Sequence, residues 1–162
     1  MKKDEFEKDI KLIKDKTPKV YNDIVRITSP FYRVYTELNT ISMQFLQNHH
    51  DISPSELDIL TSLLYSGGDE YTLSPTSLMQ RIIFSSGGMT KILKKMQSKG
   101  LIKRLDNIED GRSKLVQLTQ EGKQTTQIAL EKLLLLEADY FSSLNANEKE
   151  ELSRLLLECM KK

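Results

Sequence analysis

Between residues 101 and 118 the chain changes its hydrophobic period. Leu101-Ile102-Lys103-Arg104-Leu105 and Lys114-Leu115-Val116-Gln117-Leu118 are two five-residue strand candidates. They flank the polar stretch Asp106-Asn107-Ile108-Glu109-Asp110-Gly111-Arg112-Ser113. Two short runs around an Asp-Gly turn read as a β-hairpin. Elsewhere the apolar residues recur mostly at helical spacing. A lone hairpin is marginal in water and must cover its apolar side against other elements. These constraints confine the chain to a mainly α fold with a small β wing, formed by two strands near 101–105 and 114–118.

The helices carry their own start and stop signals. Phe6, Ile10 and Ile13 mark a short charged helix that breaks around Thr17–Pro18, and Val20, Ile24 and Ile27 continue its period. Ser29–Pro30 reads as a cap followed by a first-turn proline. The long helix after it carries Phe31, Val34, Leu38, Ile41 and Phe45, fading at His49–His50. Ser53-Pro54-Ser55-Glu56 has the capping-box pattern, and Leu57, Leu60 and Leu64 supply its helix with a buried face until Gly67–Gly68. Tyr71-Thr72-Leu73 is a short strand candidate. Ser74–Pro75 opens a helix through Leu78, Met79 and Ile82, and Ile83–Phe84 form an apolar corner. Ser85 caps a helix that ends at Lys99–Gly100, where glycine can take the left-handed conformation. Thr119 caps a helix with Ile128, Leu133 and Leu136. Asn145 caps a last one with Leu152, Leu155, Leu156 and Met160.

Three helices followed by a hairpin make a winged helix-turn-helix, in which one helix braces a second so that the second can enter the major groove. Three segments follow: N-terminal helices over 1–50, the winged lobe over 51–118 and C-terminal helices over 119–162. The charge agrees with this division. The net charge is only +1, yet nine basic residues stand against three acidic ones from Tyr71 to Leu118, so the ends are acidic. A basic centre between acidic flanks suits a protein that turns one face to phosphates. In the helix after Ser85, the apolar Met89, Ile92, Leu93 and Met96 share one side. Ser86, Gly87, Thr90, Lys91, Lys94 and Lys95 are left for the other. Glycines in a first turn cost about 1 kcal/mol each relative to alanine, and nothing in a plain surface helix offsets that. Small residues there permit close approach to DNA, hydroxyls reach bases or phosphates, and lysines neutralise phosphates. On the wing, Arg112 is placed to enter a narrow minor groove, while Asp110 can pair with a basic neighbour and hold the loop in shape.

Five pieces in register resemble the MarR (multiple antibiotic resistance) family of regulators over Ser53 to about Lys123. They are Ser86-Gly87-Gly88-Met89-Thr90, Leu93-Lys94-Lys95-Met96, Lys99-Gly100-Leu101-Ile102-Lys103-Arg104, Asp110-Gly111-Arg112 and Leu118-Thr119-Gln120-Glu121-Gly122. The resemblance implies a sequence-specific transcriptional regulator acting as a repressor. It implies a homodimer built by the terminal helices that binds double-stranded DNA at a palindromic operator, with release by a small-molecule effector. The DNA-binding residues expected on this basis are Ser86, Gly87, Gly88, Thr90, Lys91, Lys94, Lys95, Arg104, Asp110 and Arg112. Tyr32, Arg33 and Tyr35 are candidates for an effector site. Two sensing branches fit less well: the chain has no tryptophan for a urate-type site, and its only cysteine, Cys159, stands near the end.

Other function classes find little support. His49 and His50 are adjacent and so diverge on a helix, whereas a metal needs three or four converging ligands; no metal and no cofactor are expected. No nucleophile–base pair or phosphate loop suggests an enzyme. The apolar runs are too short for a membrane span, the N-terminus lacks a signal-peptide core, and one cysteine permits no intrachain disulfide, which together favour the cytoplasm. The rival reading is a winged-helix module for protein–protein contact without DNA binding. Basic residues at 91, 94 and 112 speak against it.

Overall fold

The computed structural model describes residues 3–82, 86–107 and 114–160. Its helices begin where side chains satisfy free backbone amides. In chain order the helices are α1 (Lys3–Lys16), α2 (Val25–His50), α3 (Pro54–Ser66), α4 (Pro75–Arg81), α5 (Ser86–Ser98), α6 (Gln120–Tyr140) and α7 (Ala146–Cys159). The strands are β1 (Thr72–Leu73), β2 (Ile102–Asp106) and β3 (Lys114–Leu118). The chain divides into two compact units, Met1–Ile41 and Ser42–Lys162.

In the first unit, α1 ends as the sequence suggests, with the Thr17 hydroxyl donating to the Ile13 carbonyl at 2.7 Å. The start of α2 corrects the sequence reading. Ser29–Pro30 is not its cap; the helix already runs from Val25, with Pro30 inside it. The starting signal is Asn22, whose side-chain oxygen accepts the Ile24 N–H at 2.9 Å. An Asx cap is a strong enough initiator to begin the helix one turn early. Glu7 and Arg26 join α1 to this turn at 2.6 Å. Both side chains are exposed, so the pair contributes little to stability.

In the second unit, α3 is the central element, and its N-terminus carries a complete capping box. Glu56 N–H donates to the Ser53 hydroxyl at 3.2 Å, and Ser53 N–H donates to the Glu56 carboxylate at 2.8 Å. Leu57, Ile59, Leu60 and Leu63 are buried and pack with Leu46, Leu78, Met96, Ile102 and Val116 into one core. Gly67 closes α3 with its N–H on the Leu63 carbonyl, and a Cβ there would come within 2.5 Å of the backbone at Tyr71 and Thr72.

The hairpin forms in the expected place, with Ile102 opposite Leu118 and Asp106 opposite Lys114. β1 adds a third strand, pairing Thr72 with Gln117 and Leu73 with Val116 in the order β1-β3-β2. The free edge of β3 is thereby covered, which a two-stranded wing would have left open. On α6 the buried stripe is Gly122, Thr126, Ala129 and Leu133, whereas Ile128 is exposed. Small residues on this stripe let the helix approach α3 closely and carry Ile128 outward, so Ile128 marks the helix in the sequence without entering its core.

Candidate nucleic-acid interface

The site is built on α5. Met89, Leu93 and Met96 are buried and Ile92 packs against the same core, so one side of the helix is committed to the interior. Thr90, Lys91, Lys94 and Lys95 are exposed on the other. This is the arc expected from a 3.6-residue repeat. Ser86, Gly87 and Gly88 form the first turn. The short α4 lies before it, begun by Ser74, whose hydroxyl accepts the Ser77 N–H at 3.1 Å. After it, Gly100 at φ +72° lets Leu101 N–H return to the Met96 carbonyl at 3.1 Å. That six-to-one bond ends the helix and turns the chain directly into β2.

Lys95 on α5 and Lys99 just after it reach the start of α3 and the residue Asp51 that precedes it. Lys95 Nζ lies 3.0 Å from Glu56 Oε2. Lys99 Nζ lies 3.5 Å from Glu56 Oε1 and 3.1 Å from Asp51 Oδ2, and it also donates to the Asp51 backbone carbonyl. Glu56 is buried, with 1% of its side chain exposed. Burial pushes its carboxyl pKa up, but hydrogen bonds from Ser53 and Lys95 outweigh this and hold it below the usual value. The same carboxylate raises the pKa of Lys95. Asp51 is lowered by the hydrogen bonds it accepts from Lys99 and Gln47. The capping box was legible from four adjacent residues. The Lys95–Glu56 pair, across 39 residues of chain, was not.

The wing leaves the sheet at the cross-strand pair Asp106–Lys114, whose charges stand 3.3 Å apart. Lys103 is exposed on β2, while Arg104 is half-buried and shares the face of Ile102 and Val116. Burial lowers the pKa of its guanidinium. The structure therefore groups Thr90, Lys91 and Lys94 on one exposed surface and ties Lys95 to Glu56. It sets Arg104 apart, toward the sheet's packed side. Asp110 and Arg112, expected from the sequence on the wing, and Ser85, expected as a cap, lie outside the described residues. The candidate effector residues are on α2 in the first unit. Tyr32 and Tyr35 are exposed there, and Arg33 pairs with Glu37 at 2.8 Å.

His49 stacks on Phe45 with ring centroids 4.8 Å apart, and burial followed by the charges of Lys132 and His49 lowers the pKa of His50. Among the described residues no group of three or more His, Cys, Asp or Glu is arranged to hold a metal ion, and no helix is long and apolar enough to cross a membrane.

Residues 50–113 match the model of the MarR family. The HTH-type transcriptional regulator YdgJ of Bacillus subtilis strain 168 is 30% identical over 109 residues, covering 67% of this chain and 62% of its own length. The HTH-type transcriptional regulator PecS of Dickeya dadantii strain 3937 is 29% identical, covering 66% of this chain and 64% of its own. The chain thus spans a little under two thirds of either relative. The crystal structure of a mutant MarR from E. coli, complexed with operator DNA, is similar with a TM-score of 0.66. It is 24% identical, and the match covers 85% of this chain and 99% of that one.

Proposed function

We infer that this chain, whose residues 50–113 form a MarR-family domain, is a sequence-specific DNA-binding transcriptional regulator. In this reading it is a homodimer on a palindromic operator, acts most simply as a repressor, and is open to release by a small-molecule effector. The observation that carries the reading is the two-sided α5. A Met-Ile-Leu-Met stripe packs into the core, and a Thr-Lys-Lys arc faces outward on a helix whose first turn contains two glycines. A helix held this rigidly, with small and cationic residues outward, fits a major groove about 12 Å wide. The two curated relatives are named as transcriptional regulators, which supports the same class.

Selection of bound sequences from random duplex DNA tests the reading, because it returns both an operator and its symmetry. With that operator, Arg112→Ala should weaken binding by about 1–3 kcal/mol, the scale of one good DNA contact, and reduce any preference for A·T-rich flanks. Equal affinities of both proteins in a titration at one salt concentration would remove the wing from the interface.

Dimerisation is supported by apolar surface that the chain leaves uncovered. Leu155, Leu156 and Leu157 on α7 are 48%, 42% and 57% exposed, and Leu134 and Leu135 on α6 exceed half. In the first unit Val20, Ile24 and Ile27 are exposed as well. Apolar surface on this scale marks an interaction face. Sedimentation at micromolar concentration should give twice the 18.7 kDa chain mass, and a well-folded species at the single mass would contradict the proposal.

A further inference from the structure

α5 carries three lysines on its outward side, but they are not equivalent. Among the described residues, Lys91 and Lys94 enter no ion pair, whereas Lys95 reaches the carboxylate of Glu56 at 3.0 Å. Glu56 is fixed from behind by the Ser53 N–H at 2.8 Å and is almost wholly buried, so it cannot swing away to release the lysine. Its other oxygen faces Lys99 at 3.5 Å, and Lys99 is held in turn by Asp51. One buried carboxylate therefore collects Lys95 from the last part of α5 and Lys99 from just beyond its end.

We propose that Glu56 is a specificity-determining positioning residue: it withdraws Lys95 from the DNA-facing surface and, through Lys95 and Lys99, fixes the angle of α5. The inference rests on the DNA-binding reading above and refines it. The charge on Lys95, whose side chain is still half exposed, is balanced by a carboxylate fixed in the protein, and the phosphate-neutralising lysines of this helix are Lys91 and Lys94. A free lysine at 95 would add sequence-independent attraction, since phosphate contacts carry no base information. A recognition helix released from Glu56 would also sample more than one orientation in the groove. The first effect raises binding to every sequence and steepens its salt dependence, and the second reduces the advantage of the operator over random DNA.

The experiment measures salt dependence on the intact chain, using random-sequence duplex DNA and the selected operator. Each neutralised phosphate contributes about 0.9 to the slope of log affinity against log salt, or about 3.5-fold in affinity for a fourfold change in salt. Lys94→Gln should lower the slope by about that amount. Lys95→Met should leave it at the wild-type value. Glu56→Gln keeps a capping-box side chain but frees the lysine. It should steepen the slope by about 0.9 and narrow the ratio of operator to random-DNA affinity by about tenfold. The double variant Glu56→Gln with Lys95→Met should return the slope to the wild-type value, and urea unfolding of every variant checks that the lobe is folded. A merely structural Glu56 would change the unfolding midpoint without moving the slope. That result overturns the proposal, as does a slope lowered by Lys95→Met as much as by Lys94→Gln. If the wild type binds neither DNA in a salt-dependent way while folding normally, the DNA-binding reading fails and this inference falls with it.

Discussion

Gly122→Ala should destabilise the second unit by about 1–2 kcal/mol, although alanine is the better helix former. Gly122 is the third residue of α6, and its N–H donates to the Thr119 hydroxyl at 2.9 Å. A Cβ at this position would overlap the Leu101 carbonyl oxygen and lie 2.9 Å from Leu118 Cδ1 and 3.0 Å from the Leu101 carbonyl carbon. The carbonyl cannot retreat freely. It accepts the Thr119 N–H at 3.1 Å and the Thr119 hydroxyl at 3.0 Å, so moving it strains the cap of α6 and the join between α5 and β2. Alanine gains about 1 kcal/mol in helix propensity, while a collision with backbone in a packed site costs about 1–3 kcal/mol and occasionally more. The collision wins because its partner is main chain. Urea unfolding should show a midpoint lower by about 1 M. An unchanged or higher midpoint would mean that α6 can slide away from Leu101 at no cost, and the close packing would then not explain this glycine.

The same glycine illustrates what the sequence does and does not disclose. Thr119 as a cap and Leu118-Thr119-Gln120-Glu121-Gly122 as a motif are visible in the chain, because capping depends on neighbours a few residues apart. The tight approach to Leu101 is a tertiary fact. It also explains why Gly122, Thr126 and Ala129, and not Ile128, form the buried stripe of α6. Counting apolar residues misses a stripe built from small and hydroxylated ones, and Thr126 hides its hydroxyl by donating to the Gly122 carbonyl at 2.6 Å. The hairpin and the two-sided α5 were legible, since both follow from local period and local turn chemistry, whereas the pairing register of the hairpin was not read from the sequence. The early start of α2 at Asn22 was overshadowed by Ser29–Pro30, a stronger-looking signal in the sequence that the longer helix absorbs. For the candidate site, composition separates cations from apolar residues. It cannot tell a free lysine from one held by a carboxylate 39 positions away, nor that Arg104 turns toward the packed face of the sheet.

Reversing the charge of the two α5 lysines that enter no ion pair among the described residues, Lys91→Glu with Lys94→Glu, should weaken DNA binding by roughly a few hundred-fold while leaving the fold intact. Each lost phosphate contact removes about 1 kcal/mol or more, and a carboxylate in its place adds repulsion from the same phosphate. Two such sites together reach about 3–4 kcal/mol. Lys91 and Lys94 are exposed and outside the core, so the stability change should stay within about 0.5 kcal/mol. One side effect needs a control. A glutamate at 91 stands four residues before Lys95 and can form a helical i,i+4 pair with it, competing with the buried Glu56. The neutral pair Lys91→Gln with Lys94→Gln avoids that competition and should give the same direction with a smaller loss, about tenfold to a hundredfold. Titration of the selected operator at one fixed salt concentration measures both, with the circular dichroism spectrum and sedimentation mass as checks on folding. Wild-type affinity in the double reversal would show that the outward face of α5 does not meet DNA. The buried Met-Ile-Leu-Met stripe would then account for an ordinary packed helix and nothing more.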